Sequence, residues 1–239
     1  NSNIDAIICA RGGYGANRVL PLLDYNLIKA NPKIFMGYSD ITAFLTSITQ
    51  KTGLVTFHGP MLSSFSKGMV DYNFDLIEKT LFGYESITIQ SPRELQRRVL
   101  KSGKAEGPLW GGNMCLLVNR LGTADQLNTS GTILFIEDID EYLYAFDRMM
   151  VHMKEARMFQ NISGLIIGEL VDMKDQDIPF GKSTDEIVMD VCSDLDIPII
   201  SNFPCGHGVF QSTLPISIPV QLDAKSNSST LTLLESPVK

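Results

Sequence analysis

The stretch Lys33-Ile34-Phe35-Met36-Gly37-Tyr38-Ser39-Asp40-Ile41-Thr42-Ala43-Phe44 decides how the chain folds. A short apolar run meets a glycine, a serine and an aspartate, and an amphipathic segment follows at once. The pattern predicts a buried strand that turns sharply into a helix, with Ser39 at the turn. Such a turn lifts a hydroxyl out at the carboxyl end of a sheet, beside the first free N–H groups of a helix. Nucleophilic serines of hydrolases are presented this way. An ordinary N-cap serine, whose oxygen accepts from the helix backbone, occupies the same place. The window alone leaves both readings open.

Working outward, the same unit repeats. Upstream, Ile4-Asp5-Ala6-Ile7-Ile8-Cys9-Ala10 reads as an interior parallel strand and runs into Arg11-Gly12-Gly13-Tyr14-Gly15. Glycines directly after a strand let the backbone approach a ligand. Their G-G-x-G spacing departs from the G-x-G-x-x-G of a dinucleotide loop, and an alternative use is to offer N–H donors to developing negative charge. Downstream, a helix from Ile41 to Lys51 stops at Thr52-Gly53, and Leu54 to Pro60 reads as the next strand, ending in His58-Gly59-Pro60. Strand, loop and helix in alternation predict an open parallel α/β sheet with flanking helices. Gly12, Gly13, Ser39 and His58 would then gather beyond the carboxyl ends of its strands, where such sheets bind ligands.

Further along, Asp71 to Phe82 predicts a helix closed by Gly83. The polar stretch 89–107, with Arg97, Arg98, Lys101 and Lys104, suits a linker between an N-terminal domain (1–88) and a C-terminal domain (108–239). The second part reads as α+β and more β-rich. Strands are expected at Thr132–Ile136, Leu165–Leu170 and Pro198–Ile200, and helices at Met114–Leu121, Tyr142–Ala156 and Ser183–Cys192. The alternating tail reads as hairpin-like β structure.

Composition narrows the function. The 239 residues are 44% apolar and 20% charged, as in ordinary globular proteins, and the net charge of −7 argues against nucleic acid or an anionic membrane as a partner. No apolar run is long enough to span a bilayer. The four cysteines are scattered, without a CxxC pair or Cys/His cluster, so neither zinc nor a disulfide framework is expected. They read as buried thiols of a reducing compartment, which places the protein in the cytoplasm.

With only three histidines, the search for a general base is short. His152 falls within a helix as a surface or packing residue. His58 ends a strand, where it lines a site or bonds to backbone. His207 lies between Gly206 and Gly208, which leave its imidazole accessible; proton transfer and a plain loop role are both open. A base of this kind needs a carboxylate to orient it. Glu137, after an apolar strand, is the first candidate and Glu169 the second, with Asp138, Asp140 and Glu141 nearby.

Taken together, Ala10-Arg11-Gly12-Gly13-Tyr14-Gly15, Gly37-Tyr38-Ser39-Asp40-Ile41-Thr42, Phe57-His58-Gly59-Pro60, Gly111-Gly112-Asn113, Ile136-Glu137-Asp138 and Gly206-His207-Gly208 closely resemble the LD-carboxypeptidase family. That family holds murein tetrapeptide carboxypeptidases and microcin C self-immunity peptidases, and the resemblance runs over essentially the whole chain. It implies a triad of Ser39 as nucleophile, His207 as base and acid, and Glu137 orienting the histidine. It also implies an oxyanion hole from the backbone N–H groups of Gly13 (or Gly12) and Asp40. The implied fold carries the serine on the α/β part and the other two residues on the second, with the site in the groove between them. A small murein peptide as substrate, no metal or cofactor, and a homodimer follow from the same resemblance. Arg11, Gly12, Tyr14, Trp110 and Asn113 are the candidates for binding substrate. Three departures stand out. Family members carry a further strand–helix portion before Asn3, without which a sheet edge would be exposed. Asp140-Glu141-Tyr142-Leu143 replaces a glycine and prolines, and Ser217 stands where a glycine is common.

Overall fold

Apolar runs become the central strands of two sheets. The computed structural model describes residues 1–66, 68–83, 87–225 and 228–238. Its strands are β1 (Ala6–Ile8), β2 (Ile34–Gly37), β3 (Phe57–His58), β4 (Thr88–Gln90), β5 (Arg98–Lys101), β6 (Gly103–Asn113), β7 (Ile133–Ile139), β8 (Gly164–Val171), β9 (Ile199–Gly206), β10 (Leu214–Pro215), β11 (Pro219–Lys225) and β12 (Ser228–Leu233). The smaller sheet has the order β1-β2-β3-β10, and the larger β4-β12-β11-β6-β7-β8-β9-β5. In the first, β1 to β3 are parallel and β10 closes the edge antiparallel. In the second, β6 to β9 are parallel and the strands on both flanks antiparallel. The architecture is mixed α/β.

The helices are α1 (Ala16–Val19), α2 (Tyr25–Ala30), α3 (Thr42–Thr52), α4 (Leu62–Ser66), α5 (Asp71–Leu81), α6 (Met114–Asn119), α7 (Leu143–Glu155) and α8 (Thr184–Cys192). Their ends follow local chemistry. Asp24 caps α2 by accepting the Leu27 N–H, and Ser183 and Glu186 form a reciprocal capping box on α8. Gly53, at φ 78°, takes the left-handed turn that ends α3.

One hydrophobic core joins the sheets. Leu45, Met61 and Leu76 pack in the same cluster as Leu109, Phe135, Ile200 and Leu214. A second cluster lies beneath α7 and α8, where Phe146, Met150, Ile187 and Val188 meet Leu134 and Leu165. Each such side chain, fully buried, contributes about 1.5–3 kcal/mol. Exposed ion pairs such as Lys79–Asp75 contribute about 0–1 kcal/mol each. The shared core therefore sets how the sheets sit on one another.

Polar contacts then fix the register between them. The Asn113 N–H donates to Thr42 Oγ1 at 3.0 Å. A Cβ at Gly112 would fall 2.5 Å from Thr42 Cγ2, so only glycine lets α3 approach β6 this closely. Buried Arg120 donates to Asn17 Oδ1 at 2.7 Å and pairs with Asp125, tying α1 to the chain after α6.

The structure departs from the sequence reading in three places. The stretch 89–107, expected to be a linker, contains β5 and parts of β4 and β6; within it they pair with β9, β11 and β12 from the last third of the chain, beyond any local pattern. β1, expected inside its sheet, pairs with β2 alone among the described residues, and Ile7 is 45% exposed. β10, from late in the chain, completes the sheet that begins the chain, so the two sheets are not contiguous halves of the sequence. Ser217, one of the three departures from the family resemblance, adopts φ 73°, a backbone region that glycine enters freely.

Candidate active site

Ser39 is the first residue of a 3₁₀ turn, Ser39–Ile41, between β2 and α3. Its φ of 62° is uncommon for a residue with a Cβ. Such strain, of order 1–3 kcal/mol, clusters at functional sites. The N-cap alternative is not met. The capping positions of the turn and of α3 are Tyr38 and Ile41, and neither makes a side-chain cap. Among the described residues the Ser39 hydroxyl has no hydrogen-bond partner.

The glycine loop after β1 comes directly against this serine. A Cβ on Gly12 would lie 2.8 Å from Ser39 Cβ and 3.0 Å from its Oγ, so any side chain there would push the loop away. Asp40 holds the loop's far end: its buried carboxylate accepts the Ala16 N–H at 2.9 Å. Loop and turn are therefore one unit.

Glu137 approaches from the other sheet. It lies within β7, where the pairing with β8 slips between Ile136 and Asp138. Such irregularities re-aim a side chain out of the regular pleat. The residue is fully buried. His207 Nδ1 lies 2.8 Å from its Oε2, and His58 Nε2 3.5 Å from its Oε1. Burial alone would raise the carboxyl's pKa, but the hydrogen bonds from His207 and His58 outweigh it and hold the group well below the ordinary carboxylate range.

His207 follows β9 and is 12% exposed at its side chain, with the Tyr38 ring edge-on at 4.9 Å between centroids. Its flanking glycines do something other than bare the imidazole. A Cβ on Gly206 would strike Glu137 Oε2 at 2.7 Å, and one on Gly208 would strike Glu169 Oε1 at 2.1 Å. The two glycines make room for two carboxyl groups.

Ser39 and His207 line one cleft of about 220 Å³ with Arg11, Gly12, Gly13 and Tyr38. A larger hollow of about 600 Å³ lies between β1 and α2, lined by Ile4, Ile7, Leu27 and Phe44. Its walls are mainly apolar, with Lys33 and Thr56 the side chains able to act on a substrate and neither paired there with a histidine; the smaller cleft brings a serine and a histidine together, so chemistry is placed there.

Of the other sequence candidates, Arg11 and Gly12 reach the cleft. Tyr14 points into solvent, 87% exposed. Trp110 sits in β6 and packs on both core clusters. Asn113 is buried as the N-cap of α6 and donates to Asp138 Oδ1 at 2.9 Å. Asp138, which also accepts the Cys115 N–H, and Asp140, paired with Lys174, have partners other than histidine. Glu169 is half-buried, its Oε1 unpaired among the described residues, and burial pushes its pKa up to about 7. The contact the sequence did not reveal is His58 on Glu137: residues 79 positions apart, on different sheets, leave no local signal.

Known proteins are similar to this chain over most of its length. Residues 1–59 match the family model of the LD-carboxypeptidase N-terminal domain, and residues 106–222 that of the C-terminal domain. A probable murein peptide carboxypeptidase of Bacillus subtilis is 35% identical over 237 residues, covering 96% of this chain and 70% of its own. The microcin C7 self-immunity protein MccF of Escherichia coli is 33% identical over 263 residues, covering 97% of this chain and 75% of its own. The crystal structure of muramoyltetrapeptide carboxypeptidase from Oxalobacter formigenes superposes with a TM-score of 0.89 at 29% identity, over 99% of this chain and 80% of that one. MccF in complex with glutamyl sulfamoyl guanosine superposes with a TM-score of 0.90 at 30% identity, over 100% and 78%.

Proposed function

Because this chain belongs to the LD-carboxypeptidase family and is a serine-type carboxypeptidase, we propose that Ser39, His207 and Glu137 are its catalytic triad. We propose further that its substrate is a murein tetrapeptide, from which it releases the terminal D-alanine by cutting an L,D-peptide bond. The observation that carries the triad is the 2.8 Å contact of Glu137 Oε2 with His207 Nδ1, made by a histidine that shares one small cleft with a strained, unpartnered serine.

In this mechanism His207 donates its Nδ1–H to Glu137, which leaves Nε2 as the base. Nε2 takes the Ser39 proton as Oγ attacks the scissile carbonyl, then gives it to the departing amine of D-alanine. The backbone N–H groups of Gly13 and Asp40 receive the oxyanion. Water, activated by the same imidazole, hydrolyses the acyl-enzyme and frees Ser39. Arg11, on the cleft wall, is the candidate to face the substrate's terminal carboxylate.

The direct test is D-alanine release from a murein tetrapeptide by the purified chain. Ser39→Ala is expected to lower kcat by about 10⁴-fold or more; unchanged turnover in that variant would overturn the serine mechanism. The likeness to MccF, whose structure holds glutamyl sulfamoyl guanosine, favours one other substrate, an acyl-nucleotide amide. Activity on that compound alone would replace the murein assignment and keep the triad.

A further inference from the structure

His58 lies at the end of β3, 1% exposed, between Gly37 of β2 and Leu214 of β10. Gly37 is two residues before Ser39, so His58 belongs to the sheet that presents the nucleophile. Its Nε2 reaches across to Glu137 Oε1, on the sheet that presents the base. The ring is fixed on both sides by aromatic edges, Tyr38 at 6.1 Å and Phe135 at 5.1 Å between centroids. Nδ1 is buried and has no partner among the described residues.

Those contacts decide where the proton sits. An ionised carboxylate only accepts, so the nitrogen facing Oε1 is the protonated one. A proton on Nδ1 as well would be a buried N–H with nothing to receive it, a costly arrangement. We infer that His58 is a positioning residue: a neutral imidazole whose Nε2–H holds Glu137 Oε1, so that Oε2 stays aimed at His207. The inference rests on the triad reading above. It gives the two histidines different work on one carboxylate. The bond at 2.8 Å belongs to the proton-transfer histidine and the one at 3.5 Å to the anchor.

Removing the anchor has a direction. Glu137 is faced by His58 from β3 and His207 from the loop after β9. Asp138 beside it and Cys205 on β9 lie within its field. Without the Nε2–H donor, the carboxylate charge is shared with fewer partners and binds the proton of His207 more tightly. The acid limb of kcat/KM then moves to higher pH, and the freed carboxylate loses its aim.

The test pairs kinetics with spectroscopy. His58→Leu is expected to lower kcat by about 10–100-fold with KM little changed, as when a group orienting a functional residue is lost. Its acid limb should shift upward, and His58→Gln, which keeps an N–H donor, should recover most of the rate and restore the limb. Imidazole ¹⁵N NMR of the unsubstituted chain should show His58 as the neutral Nε2–H tautomer, which decides the matter even if His58→Leu does not fold. An Nδ1–H tautomer or an imidazolium would overturn the proposal. So would a folded His58→Leu enzyme with the parental kcat and pH profile, where Ser39→Ala is inactive. Turnover surviving in Ser39→Ala would instead sink the triad reading itself.

Discussion

Glu137 and Glu169 sit on neighbouring parallel strands, β7 and β8, at the same end of the sheet, and each lies against a glycine beside His207. Both are poorly hydrated carboxyl groups. Yet one is held well below the ordinary carboxylate range and the other is pushed up to about 7. Depth does not explain it, since the more buried group is the more acidic. The partners do: Glu137 meets two imidazoles, whereas Glu169 Oε1 meets none. Burial raises a carboxyl's pKa unless donors or positive charge reverse it, and here the loop after β9 delivers its histidine to one glutamate only.

The contrast breaks first at Glu137. Glu137→Gln keeps the volume and removes the charge that fixes the His207 tautomer. Where a triad carboxylate is replaced by its amide, kcat falls about 10⁴-fold, and that loss is expected here, read as D-alanine release under saturating substrate. A loss no larger than that of Glu169→Gln would mean that the two carboxylates had been assigned the wrong way round.

The glycines test the same contrast through sterics. Gly206 has φ 107° and a Cβ there would collide with Glu137 Oε2, whereas Gly208 faces Glu169. Gly206→Ala should displace the triad carboxylate, and a 1 Å misplacement costs on the order of 10²-fold in rate. Gly208→Ala should disturb Glu169 and cost less. Comparing kcat for the two alanine variants, at equal folded fraction by circular dichroism, checks the order.

How much of this was legible in the sequence depended on whether the signal was local. The strands β7 and β8 were readable because their apolar runs are continuous, and α8 because Ser183 opens it with a cap. Ser39 was readable as a strand-to-helix turn, but its strain was not: φ at a non-glycine residue leaves no mark in composition. Gly206-His207-Gly208 was noticed for the wrong reason, as spacing cannot show that each glycine accommodates a carboxyl from another strand. The strands inside 89–107 are polar and partly exposed, and only pairing with β9, β11 and β12 makes them strands. His58 on Glu137 is the extreme case, a contact between two sheets.

The smallest expected effect is the one that isolates Glu169. Its ordinary pKa of 4.5 is raised to about 7 by burial, so the folded chain keeps a proton that the unfolded chain releases. Below pH 4.5 both states are protonated and the group contributes no pH dependence. As pH rises from 4.5 towards 7 the unfolded state gains the advantage, and stability falls before levelling off. Glu137 has the opposite sign: its folded pKa is depressed, so its contribution is present above its unfolded pKa and is lost as pH drops below it. Glu169→Gln removes one titration and leaves the other. Thermal midpoints measured across the window should therefore fall less steeply with pH in Glu169→Gln than in the parent, while kcat stays within about threefold. A parallel pair of curves would show that Glu169 ionises normally in the fold. The asymmetry between the two glutamates would then reduce to the Glu137 side alone, with the imidazoles accounting for all of it.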